Sequence, residues 1–383
     1  MSTISAPPLR EMVDRLIATP SVSSSDPSRD MSNRAVVNLL AEWTETLGFD
    51  VEVMEIPGKP DKANLIATLG SGPGGLVLSG HTDTVPFDEG KWATDPFAAT
   101  EQDNRIYGLG SADMKSFLAL ALAAAMRFRD HRLREPLTII GTADEESTMS
   151  GARALVDAKR APGRLAVIGE PTGLRPVRMH KGVQVEIVRI EGRSGHSSDP
   201  SLGRNALEAL HRAIGAILAY RGEVEAERNE AFAVPTPTIN LGKVVGGDSF
   251  NRICASAELH FDARVLPSMN GAELRETLRA RIRDAVGPEF GIRFDDLGGA
   301  GTQPFLTPAN SELVRAAEEL TGAPAGAVAF GTEGPFYNAL GMDTIVLGPG
   351  SIDVAHQPDE YLELSYIDRT VDLLEQMIGR FCI

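Results

Sequence analysis

Four stretches of this chain share one layout, a short apolar run followed by small residues and then a carboxylate or histidine. "GGLVLSGHTD" delivers His81 and Asp83, and "LTIIGTADEES" delivers Asp144, Glu145 and Glu146. "LAVIGEPTG" delivers Glu170, and "DTIVLGPGS" is followed closely by His356. Runs of Ile, Val and Leu this short, bounded by turn residues, fit strands buried on both faces. Helical patterns separate them, at Ser32 to Leu47, Met114 to Phe128 and Gly151 to Ala158. That alternation predicts an α/β fold, a mostly parallel sheet with helices on both faces. In such sheets ligands collect beyond the carboxyl ends of the strands. All four runs put their polar residues there, as one shared site requires.

At 383 residues the chain exceeds one typical core. From about Gly182 to Leu297 the pattern changes. "VQVEIVRIEG" alternates as a strand, Asn205 to Tyr220 is helical, and "PTINLGKVVGG" and "ASAELHFDARVL" are two more strands. Gly271 to Val286 is helical, and "GIRFDDL" is a last strand. The order β-α-β-β-α-β is the ferredoxin-like arrangement. The expected organisation is a discontinuous catalytic domain, 1–181 and 298–383, interrupted by an inserted α+β domain, 182–297.

The candidate site residues are His81, Asp113, Glu145, Glu146, Glu170 and His356. Histidines with carboxylates suit Zn²⁺, Mn²⁺ or Co²⁺, and a carboxylate can bridge two ions. Taken singly, each has a plainer use. Asp113, in "GLGSADMK", would serve as a helix N-cap, and Glu145-Glu146 as a solvated turn. His81 would serve as a satisfied core histidine, and Glu170 and His356 as loop residues. The adjacent glutamates point in different directions, so one can be a ligand and the other a general base. Asp83 is expected to accept a hydrogen bond from the His81 ring nitrogen that faces away from the metal.

Composition narrows the classes. Lys and Arg number 37 against 53 Asp and Glu, a net charge of −16 that would repel nucleic acid and anionic membrane surfaces. The two cysteines, Cys254 and Cys382, make neither a disulfide framework nor a Cys-x-x-Cys site. "MSTISAPPLREMVDRL" lacks a basic stretch before an apolar core, so the expectation is a soluble cytoplasmic protein.

"SGHTDTVP", "GLGSADMK", "ADEES" and "GEPT", in this order, resemble the aminoacylase/carboxypeptidase family of dinuclear zinc hydrolases. The resemblance spans nearly the whole chain, including "GRSGHSS". It implies two divalent ions, zinc before cobalt or manganese. His81 and Glu170 would hold one ion, Glu146 and His356 the other, and Asp113 would bridge them. Glu145 would be the general base. It further implies a homodimer through the inserted domain, with His196 stabilising an oxyanion in the partner's site and Asn251 and Arg264 facing substrate. The tail from Phe330 to Leu364 is similar to the branch acting on N-acetyl amino acids, which implies hydrolysis of N2-acetyl-L-ornithine. An acetylcitrulline deacetylase and a succinyl-diaminopimelate desuccinylase or dipeptidase are the alternatives. Glu333, in "FGTEGPF", is the candidate anion for the substrate's δ-ammonium, against a plain role capping the helix that follows Gly334-Pro335.

Overall fold

The computed structural model describes residues 6–297 and 301–383. The chain forms two compact units. One comprises Met1–Arg178, Leu306–Gly326 and Thr332–Ile383; the other comprises Met179–Phe305 and Ala327–Gly331. The expected return to the first domain at residue 298 falls on 298–300, outside the described residues.

The first unit is built on a mixed sheet. Its centre is four parallel strands in the order Leu137–Thr142, Leu76–His81, Leu165–Pro171 and Asp343–Gly348. Lys59–Leu69 and Asp50–Ile56 extend one side antiparallel. Every residue of the strands Leu76–His81, Leu137–Thr142 and Leu165–Pro171 is buried, which explains why they read as unbroken apolar runs rather than as alternation. The helix Lys115–Met126 is apolar all round because it is covered all round. It packs against the sheet and against the helices Leu9–Ile17 and Ser365–Cys382. Gly169 marks how tightly: a Cβ there would lie 2.0 Å from the Phe117 ring. Among the described residues no helix is long and apolar enough to cross a membrane.

The second unit follows the expected order. Its strands are Gly182–Glu191, Thr238–Gly246, Ser256–Val265 and Gly291–Asp295, with helices Ala206–Val224 and Gly271–Val286. All the pairings are antiparallel, with Thr238–Gly246 at one edge, then Ser256–Val265, Gly182–Glu191 and Gly291–Asp295. The apolar faces of both helices meet the sheet in a core of their own, around Val188, Leu210, Leu259, Leu278 and Ile282. Both helices start on an asparagine, Asn205 and Asn270, whose side-chain oxygen accepts first-turn N–H groups.

Candidate metal centre

The parallel strands deliver their carboxyl-end residues to one spot. His81 ends its strand with 1% of its surface exposed. Its Nδ1 donates to the backbone oxygen of Asp83 at 2.9 Å, and its Nε2 faces Asp113 Oδ1 at 2.9 Å. With Nδ1 committed to a backbone oxygen, Nε2 is the nitrogen that would face a cation; here it donates to Asp113. The expected bond to the Asp83 carboxylate is therefore corrected. The carboxylate lies 3.8 Å from Nδ1, too far, and is turned elsewhere. Its two oxygens accept the backbone N–H groups of Glu145 (3.2 Å) and Glu146 (3.1 Å). Asp83 thus orients the histidine through its main chain and the glutamate pair through its side chain.

Beyond the Leu137–Thr142 strand, Asp144 adopts a left-handed backbone with φ 57°. Its buried carboxylate pairs with Lys62 at 2.7 Å and Lys59 at 2.6 Å and accepts from Ser150 at 2.9 Å. This anchor fixes the sharp turn from which Glu145 and Glu146 diverge. Glu146 Oε1 lies 3.0 Å from His356 Nε2, and Asp113 Oδ2 lies 3.3 Å from the same nitrogen. Asp113 therefore turns one oxygen to each histidine. The chain reaches His356 through another left-handed residue conformation, φ 59°, and leaves its side chain 51% exposed while His81, Asp113, Glu145 and Glu170 are buried.

Two sets of potential ligand atoms lie within 4.8 Å of one another, His81 with Asp113 and Glu146, and His81 with Glu145 and Glu170. The electrostatics call for cations. Burial, then the charges of neighbouring carboxylates, pushes Glu170 well above the usual range. Glu145 is likewise raised by burial, although His81 opposes it. Burial would raise Asp113 too, but hydrogen bonds from His356 and His81 outweigh it and hold it low. His356 is raised to about 10 by its bond to Asp113 and then by Glu146. Crowded buried carboxylates with two imidazoles suit a dinuclear site of divalent ions.

Glu333 is 1% exposed. It does not cap the helix Gly334–Ala339, since its side chain makes no capping bond. One oxygen accepts from Thr142 Oγ1 at 2.9 Å, and Oε1 is buried without a partner among the described residues. Burial raises its pKa to about 7. In the second unit, His196 and Arg252 form an isolated bridge, and Ser197 N donates to Asn251 O, so His196 and Asn251 are neighbours. Arg264 stands apart, near the far end of the Ser256–Val265 strand, with its Nε on Asp262 at 2.9 Å. The plainer partner weighed for Arg264 is thus present. Sequence reasoning missed Glu360, which is buried and accepts backbone N–H groups of the Asp113 loop. Its only signal was its place four residues after His356.

Residues 77–380 match the model of peptidase family M20/M25/M40. The chain belongs to this family. A relative from Pasteurella multocida, an acetylornithine deacetylase, is 47% identical over 378 residues, 98% of both chains. Another acetylornithine deacetylase, from Shigella sonnei, is 48% identical over 382 residues, again 98% of both chains. Among solved structures, an M20 family metallo-carboxypeptidase from Sulfolobus solfataricus shares the fold with a TM-score of 0.75 at 18% identity. That match covers 98% of this chain and 99% of that one.

Proposed function

We propose that this chain hydrolyses N2-acetyl-L-ornithine to L-ornithine and acetate, a step of arginine biosynthesis in the cytoplasm. The observation that carries this reading is the convergence of His81, Asp113, Glu145, Glu146 and Glu170 on one spot, with the more exposed His356 against Asp113 and Glu146. It sits in a chain whose curated relatives, nearly half identical, are acetylornithine deacetylases. His81 and Glu170 would hold one divalent ion, Glu146 and His356 the other, with Asp113 between. When bound, the two ions, zinc before cobalt or manganese, would supply Lewis acidity and lower the pKa of water. Glu145 is the general base: it takes a proton from the attacking water and passes it to the departing amine nitrogen. Its burial favours the protonated form it must adopt midway.

His196 would donate to the oxygen that gains charge as the carbonyl is attacked. Asn251 and Arg264 would bind the rest of the acyl amino acid, the guanidinium taking the α-carboxylate. Glu333 Oε1, which has no partner among the described residues, would take the δ-ammonium, which would also favour the ionised carboxyl.

These assignments require two copies. From Ser256 to Arg264 a strand runs about 26 Å at roughly 3.3 Å per residue. His196 and Asn251 stand beyond the Ser256 end. One small substrate does not span that distance, so Arg264 of one copy would act with His196 and Asn251 of the other. The Thr238–Gly246 edge strand, with Val244 and Val245 exposed and Phe250 99% exposed nearby, is the face we assign to the homodimer.

The test is ornithine and acetate release by zinc-loaded protein, with N2-acetylcitrulline and succinyl-diaminopimelate as competitors. Preference for acetylornithine by at least tenfold in kcat/KM, abolished by a chelator and restored by zinc, supports the reading. Preference for either competitor replaces it.

A further inference from the structure

We propose that Glu360 is a positioning residue for the cation pair, a clamp that fixes the Asp113 carboxylate between His81 and His356. The inference rests on the dinuclear reading of the site. Residues Gly108 to Met114 form an irregular segment that is buried throughout. Buried backbone N–H groups need partners, and neither helix nor strand supplies them here. Glu360 supplies four. Its Oε1 accepts from Ala112 N at 2.8 Å and Asp113 N at 2.9 Å, and its Oε2 from Gly110 N at 3.2 Å. Its backbone oxygen accepts from Gly108 N at 3.0 Å.

Sharing one oxygen between the N–H groups of Ala112 and Asp113 sets the orientation of the peptide that enters Asp113. That in turn sets the direction of the side chain, whose oxygens lie 2.9 Å from His81 and 3.3 Å from His356. Glu360 is itself held. The next residue, Tyr361, opens a strand paired to Arg105–Tyr107, with Tyr361 opposite Tyr107. His356 lies one short turn upstream. One side chain therefore ties the loop that carries Asp113 to the segment that carries His356. Lys115, buried two residues beyond Asp113, donates to Thr19 O at 3.0 Å, and its ammonium lies close enough to Glu360 for the two charges to attract.

The test uses full-length Glu360→Gln and Glu360→Ala proteins, stripped of metal and titrated with Co²⁺ by calorimetry. The spin coupling of the loaded pair is read by EPR, and the Tm of the stripped protein serves as the folding control. Glutamine keeps one acceptor but presents an amide NH₂ to the backbone N–H groups. Expected is a coupled pair in the wild type, and in the Gln variant a folded protein whose second Co²⁺ binds roughly 10–100-fold more weakly, with the coupling altered. The Ala variant should lose more; if it does not fold, the Gln variant decides alone. Variants that lose only Tm and match the wild type in Kd and coupling overturn the proposal. A wild type that binds a single Co²⁺ overturns the dinuclear reading itself, and the clamp with it.

Discussion

At the residue scale the candidate site was legible because its chemistry is spelled by residue type at strand ends. His81, Glu145, Glu146 and Glu170 each follow an apolar run, so their convergence follows from a parallel sheet. What was not legible is what the neighbours do. Asp83 was expected to bond the His81 ring by its side chain, but a backbone oxygen reached the ring first and left the carboxylate for the N–H groups of Glu145 and Glu146. Sequence spacing does not distinguish a main-chain acceptor from a side-chain one. Glu145→Gln should keep both cations in a calorimetric titration yet lose about 10²–10⁴-fold in kcat; loss of a cation with kcat retained would exchange its role with that of Glu146. Glu333 gives a pH prediction. Its pKa is 4.5 in an unstructured chain and about 7 in the fold, so between those values the folded state holds a proton that the unfolded state has released. Stability is then lost as pH rises from about 4.5 to 7, by an amount on the order of 3 kcal/mol. Measured on chelated protein, Glu333→Gln should gain Tm relative to wild type on going from pH 5 to pH 8. A difference that does not change with pH would show that Glu333 ionises freely.

At the element scale, the helices and strands were legible wherever burial is simple. The runs that became the central parallel strands, and the β-α-β-β-α-β order of the second unit, come from apolar pattern alone. The apolar stretch around Phe117 is half a membrane span in composition, and three-sided packing explains it without a membrane. The irregular buried segment from Gly108 to Met114 had no periodicity to read, because Glu360, distant in sequence, satisfies much of its backbone. Packing between elements is testable at Gly169, where an added methyl group would overlap the Phe117 ring. Gly169→Ala should cost about 1–3 kcal/mol of stability by overpacking. Because Glu170 follows directly and Phe117 lies four residues beyond Asp113, the variant should also bind cations more weakly. An unchanged Tm would mean the helix gives way freely.

For the whole molecule, a second copy of the chain would complete the proposed site. Inactive His196→Ala chains mixed with inactive Glu145→Gln chains should recover part of the wild-type turnover, since one site of each mixed dimer regains both residues. Demonstrated mixed dimers without recovery would place His196 outside the reaction in the partner's site. The reach from Arg264 to His196 could not be read from the sequence. It emerges only when the strand register puts them at opposite ends of one sheet. Calorimetric titration of the stripped, assembled protein with Zn²⁺ decides whether each chain holds two cations bridged by Asp113. The predicted result is saturation at two ions per chain, with turnover following occupancy and Asp113→Ala abolishing two-ion binding. Saturation at one ion per chain, unaffected by Asp113→Ala, would contradict it.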